Sequence, residues 1–197
     1  GIATYTQDLK NAIQEKFGNT FSLKVCALET TGENYDYPEE VKYKLNADTE
    51  ANFSELALKI NADKNIAMVF LQHEFGLFGG VYGNFLLKFM KHLKQPITTT
   101  FHTVLPNPDD KLKEVVRKIA DYSDSLVVMT DISKTILMTN YGIAERKISV
   151  ISHGTHLVAS FDDLHQKTKN QFSDRVVLTT FGLLNEGKSI ETALDAL

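Results

Sequence analysis

The sequence predicts an α/β protein organised around a doubly wound parallel sheet, and two observations carry that prediction. Short runs rich in β-branched and aromatic residues recur at Ile66 to Leu71, Ile97 to Phe101, Leu126 to Met129, Ile148 to Ile151 and Val176 to Phe181. Between them lie longer segments whose apolar residues repeat at three- and four-residue spacing. Buried strands alternating with amphipathic helices are the signature of a parallel sheet covered on both faces. Composition agrees: 197 residues with 43% hydrophobic and 23% charged residues suit an ordered globular domain and exclude a disordered or low-complexity chain.

Taken in order, Tyr5, Leu9, Ala12, Ile13 and Phe17 share one helical face. Phe21 to Leu28 alternates and then becomes wholly apolar, as a strand does, and places the single cysteine, Cys26, as a small core residue. One cysteine excludes an internal disulfide and fits a reducing compartment. Thr30 to Lys44, with Gly32, Asn34 and Pro38, reads as an irregular loop. Phe53, Leu56, Ala57 and Ile60 form the next helical face, and Tyr82, Phe85, Leu86, Phe89, Met90 and Leu93 predict three turns of another. Leu112, Val115, Val116, Ile119 and Ala120 mark a helix that Asn107 caps, with Pro108, Asp109 and Asp110 at its positive end. A helix from about Thr130 to Tyr141 stops at Gly142, a residue suited to a left-handed cap. Thr155 to Asp174 is polar and linker-like.

Open parallel sheets bind ligands beyond the carboxyl ends of their strands, so the segments after strands are the candidates for chemistry. After Leu71 come Gln72, His73 and Glu74, then a loop whose Gly79 and Gly80 let backbone approach a ligand closely. After the run at Ile97 comes His102, which at such a position can hydrogen-bond a sugar hydroxyl or phosphate, move a proton, or simply serve the loop. After Ile151 come His153 and Gly154. These histidines have no metal-ligand spacing: H-E-x-x-H is not met, and no cysteine joins His153 and His156, so no metal site is predicted. A serine hydrolase is unsupported for want of a G-x-S-x-G elbow.

Gly182 to Ser189 satisfies G-x-x-x-x-G-K-[ST] and follows a strand-like run. The bulky Leu183 and Leu184, and the lack of sequence downstream for the remaining strands and magnesium-binding aspartate, count against a nucleotide triphosphatase. Lys188, at a strand-to-helix turn, is nevertheless placed to meet a phosphate. A net charge of -4 argues against a dedicated nucleic-acid binder. No apolar run approaches the roughly 18–20 residues of a membrane span. Lys88, Lys91, His92 and Lys94 on one helix, and Lys111, Lys113, Arg117 and Lys118 on another, read first as solvated surface and second as peripheral contacts to an anionic membrane.

Five segments in order resemble the N-terminal half of a bacterial retaining glycosyltransferase of family 4, the group 1 enzymes of GT-B fold. They are Gly1 to Leu9, Gln72 to Gly80, Thr100 to Leu105, Val150 to Gly154 and Thr179 to Lys188. The resemblance implies a Rossmann-like acceptor-side domain over residues 1–170, its first strand absent, and over 171–197 a linker with the first strand and helix of a nucleotide-sugar domain. It implies that Gly1 approaches the donor diphosphate and transferred sugar, that His102 sits beside the reacting sugar, and that Lys188 neutralises the donor diphosphate. Gln72, His73, Glu74, Gly79, Gly80, His153 and Gly154 then line the substrate cleft. Many relatives carry arginine where this chain has Leu183, which shifts charge stabilisation onto Lys188.

The implied substrates are a nucleotide sugar and a carbohydrate or lipid-linked acceptor, joined with retention in polysaccharide biosynthesis. The implied setting is cytoplasmic or the inner face of the membrane, with no cofactor, metal or nucleic acid, and with room for a dimer. On this reading the 197-residue chain binds acceptor weakly and turns over no donor by itself. A sheet lacking its first strand also exposes unpaired backbone groups and apolar surface, and Val176 to Phe181 is expected to pair into that sheet, in the vacant place or across a dimer. A sugar phosphorylase or epimerase of the same fold, a non-catalytic carbohydrate-binding module and a P-loop triphosphatase are the competing readings.

Overall fold

The computed structural model describes residues 1–32, 35–154, 169, 172, 174–180 and 189–197. They fall into two compact units, Gly1–His153 and Gly154–Leu197. The first unit runs α1 (Ile2–Phe17), β1 (Val25–Glu29), β2 (Val41–Asn46), α2 (Glu50–Ala62), β3 (Val69–His73), α3 (Leu86–His92), β4 (Ile97–Phe101), α4 (Asp110–Tyr122), β5 (Ser125–Val128), α5 (Asp131–Thr139) and β6 (Ile148–Val150). Strands β3, β4, β5 and β6 are neighbours in that order and all parallel, so their carboxyl ends share one edge. With its flanking helices this sheet makes the unit α/β and Rossmann-like. A separate parallel pair joins β1 to β2.

The core lies between the four-stranded sheet and its helices. The four apolar residues that predict α2, Phe53, Leu56, Ala57 and Ile60, are the four that it buries, and α4 buries all five of its predicted residues. From the sheet, Leu71, Ile97, Phe101, Leu126, Val128 and Ile148 meet them. Two hydroxyl pairings lie inside: Thr99 and Ser123 share a 2.7 Å hydroxyl bond, and the Tyr141 hydroxyl donates to the Leu105 carbonyl at 2.7 Å. Gly142, at φ +71°, ends the α5 segment as predicted, and its N–H donates to the Met138 carbonyl at 3.1 Å.

Several expectations are corrected. The segment Thr30 to Lys44 is not all loop, because β2 begins at Val41. Its inward Val41, Tyr43 and Leu45 alternate with exposed Lys42 and Lys44, a period-2 strand whose lysines dilute its apolar character. The third helix is shorter than its periodicity suggests: Tyr82 at φ +54° and Gly83 at φ +77° break the backbone, so α3 starts at Leu86. Asn107, at φ +53°, lies ahead of α4; Asp109 is the cap, its carboxylate accepting from the Leu112 N–H at 2.7 Å. Cys26 is exposed on β1 rather than core.

In the second unit, α6 (Ile190–Asp195) is formed, but residues 176–180 form no strand; Phe181 lies outside the described residues. Val176 is 89% and Leu178 67% exposed, so the β-branched character of this run meets no pleated, half-buried surface on which to act. The strand expected over Val176 to Phe181 is therefore not formed over residues 176–180.

Candidate functional site

The carboxyl edge of the four-stranded sheet gathers Gln72, Glu74, His102 and His153. Side chains alternate along β3, so Leu71 and His73 face the buried core while Gln72 faces the other way. One residue beyond β4, the His102 N–H donates to the His73 carbonyl at 2.9 Å and prolongs the ladder. That bond fixes the backbone from which the imidazole projects, and the ring Nε2 meets the Gln72 Oε1 at 2.9 Å. Beside them Glu74 accepts from the Thr103 hydroxyl at 2.8 Å and from the Phe75 N–H at 3.0 Å, which ties the two post-strand loops together.

Helix α1 supplies the opposite wall. Tyr5, in its first turns, presents its ring edge-on to two imidazoles, with centroids 4.7 Å from His102 and 5.3 Å from His153. Histidines from two separate loops thus meet on one aromatic ring. Burial raises the Tyr5 hydroxyl, so it stays neutral and can both donate and accept. Burial lowers His102; the Glu74 carboxylate opposes this, and His153 and the amino group of Gly1 lower it further. His102 is therefore a neutral imidazole at pH 7. Gly1 immediately precedes α1.

His73 is placed differently from its neighbours. It is fully buried and boxed by the rings of Phe75, Phe78 and Phe101 at 5.0, 5.7 and 4.9 Å. Neither ring nitrogen has a hydrogen-bond partner, and burial, with a smaller contribution from His102, pushes its pKa down to about 4. It acts as an aromatic packing unit behind the site, while Gln72 and Glu74 reach the edge.

The glycines serve the loop's path. Gly79 and Gly80 have φ of +64° and +67°. A Cβ at Gly79 would stand 2.3 Å from the Ala47 carbonyl, and one at Gly80 would stand 2.0 Å from the Asn84 Oδ1. Their close approaches are to the protein's own backbone and side chains.

Gly154 opens the second unit, and Lys188 lies outside the described residues. Tyr5 and Thr103 are additions. Tyr5 reads in sequence as part of a helical face, and only the position of α1 turns it toward the histidines.

Two hollows of about 250 and 230 Å³ lie elsewhere, the first lined by Glu29, Lys44, Asn46, Asn52, Glu55 and Lys59, the second by Val81, Asn84, Lys111, Glu114 and Lys118. Neither contains a sequence-predicted site residue, so chemistry rather than volume marks the sheet edge. Among the described residues no three histidine, cysteine or acidic side chains are grouped to hold a metal ion, and no helix is long and apolar enough to cross a membrane. No protein-family model, curated protein or solved structure matches the chain.

Proposed function

We propose that this chain is the acceptor-side domain of a retaining glycosyltransferase of family 4, which transfers a sugar from a nucleotide-sugar donor to a carbohydrate or lipid-linked acceptor. The observation that carries the proposal is the meeting of Tyr5, Gln72, Glu74, His102, Thr103 and His153 at the carboxyl edge of a parallel sheet. These are groups a polyol needs. An amide, a carboxylate and a neutral imidazole supply mixed donors and acceptors for hydroxyls, and an aromatic ring supplies an apolar face for ring C–H groups. The ordered motifs in the sequence point to the same chemistry.

In this reading His102 accepts a hydrogen bond from a hydroxyl of the reacting sugar and so fixes its orientation. The Glu74–Thr103 bond holds the two loops at a constant separation around it. Lys188 offsets the charge of the departing nucleotide diphosphate, a role that needs no resident metal. The setting is the cytoplasm or its membrane face, where Lys88, Lys91 and Lys94 would add weak attraction to anionic lipid.

The test is a panel of nucleotide sugars supplied with glycan acceptors to the intact protein that carries this domain, read by transfer and by donor hydrolysis. Donor-dependent transfer that falls ~10²-fold in His102→Ala is expected. Turnover that needs inorganic phosphate and glycan instead of a donor would replace the reading with phosphorolysis. Transfer indifferent to His102→Ala would remove His102 from the reacting centre.

A further inference from the structure

A second role at this edge belongs to Gln72. Its side-chain oxygen lies 2.9 Å from the His102 Nε2. In this orientation of the Gln72 amide its oxygen can only accept, so the imidazole nitrogen facing it carries the proton. Among the described residues no hydrogen bond reaches the other ring nitrogen, Nδ1. The ring cannot easily swing away: its own backbone N–H is bonded to the His73 carbonyl, and the Tyr5 ring stands perpendicular to it at 4.7 Å.

We infer that Gln72 is a positioning residue that holds His102 as the Nε2–H tautomer, leaving the Nδ1 lone pair as the atom that receives a ligand hydroxyl. The tautomer stands on the geometry alone; that the hydroxyl belongs to a carbohydrate rests on the function proposed above. The assignment carries a specificity rule. A group presented to Nδ1 must be a donor, such as a hydroxyl, and a carboxylate or phosphate oxygen is refused there while His102 is neutral. The neighbouring ionisable groups are Tyr5, Glu74, His73, His153 and the Gly1 amino group, and none of them bonds the two ring nitrogens in place of Gln72.

Imidazole NMR on the 197-residue chain labelled with ¹⁵N-histidine tests this, with His102→Ala assigning the signals. The native chain should show His102 as the Nε2–H form. Gln72→Leu, which removes the acceptor, should lower the ratio of Nε2–H to Nδ1–H about five-fold, the loss of one hydrogen bond of ~1 kcal/mol. Gln72→Glu, which can only accept, should keep the tautomer and raise the His102 pKa through its charge. An Nδ1–H ring in the native chain would overturn the inference, as would a switch to Nδ1–H in Gln72→Glu. An unchanged ratio in Gln72→Leu, with a native amide spectrum, would overturn it as well.

The sugar is tested apart, by adding methyl glucoside, methyl galactoside or methyl mannoside at up to molar concentration. A shift at Nδ1 of His102 supports both claims. A correct tautomer response to the Gln72 variants with no shift for any glycoside supports the positioning role and counts against the carbohydrate reading.

Discussion

The four-stranded sheet and the α1–β1–β2 region are written in similar sequence and differ sharply in burial. Helices α1 and α4 both carry apolar residues at helical spacing. α4 buries five of its thirteen residues, whereas none of the sixteen residues of α1 is buried. Among the described residues β3 pairs only with β4 and β1 only with β2, and beside that edge of β3 Met68 and Phe70 remain 41% and 46% exposed. Periodicity states which face seeks cover; neighbouring layers decide whether cover is supplied. The candidate site sits on the seam between these regions, with a more buried wall from β3 and β4 and a less buried wall from α1.

Substitutions can sharpen that contrast. The largest effect is expected at Ile119 in α4, fully buried against the sheet: Ile119→Ala should cost about 2–5 kcal/mol in chemical unfolding. A loss below 1 kcal/mol would mean the four-stranded side is packed no better than the other. Next comes acid. His73 is neutral in the fold down to about pH 4 but takes up a proton near 6.5 when unfolded. Between those values the unfolded chain binds more protons, so stability is complete above 6.5 and declines as pH falls toward 4, by roughly 3 kcal/mol in total. His73→Leu should flatten that part of the stability profile; an unchanged slope would assign the acid sensitivity to other groups.

A smaller effect is expected where the two regions touch. Gly79→Ala sets a Cβ against the Ala47 carbonyl at a left-handed backbone position and should cost about 1–3 kcal/mol. Amide shifts on both sides of the contact, in the loop and at the end of β2, would report the strain. The smallest belongs to α1, where Leu9→Ala should cost less than about 1 kcal/mol because the side chain is only partly buried. A loss as large as that of Ile119→Ala would break the comparison.

Much of this contrast could be read before the structure, but not all. The four core positions of α2 and the five of α4 follow directly from spacing, since each packs against a sheet. The position of Gln72, Glu74, His102 and His153 at the carboxyl edge was legible because each lies at or just beyond the end of a strand of a parallel sheet. His73 was misread for want of parity: Leu71 faces inward, and two residues on His73 must do the same. Tyr5 was hidden because its spacing with Leu9 and Ile13 is that of an ordinary core face, and its contact with two imidazoles depends on where α1 is set down. Strand β2 was hidden by its lysines. Val176 to Thr180 carried strand propensity without a partner, and propensity alone does not make a strand.

The account stands on the carboxyl edge being the surface that recognises carbohydrate. The most direct measurement is amide chemical-shift mapping of the ¹⁵N-labelled chain with disaccharides, at concentrations suited to binding on the order of millimolar. The account predicts that the largest shifts fall on Tyr5, Gln72 to Phe75, His102, Thr103 and His153. Shifts centred on the hollow of Glu29, Asn52 and Lys59, or none anywhere on the chain, would contradict it.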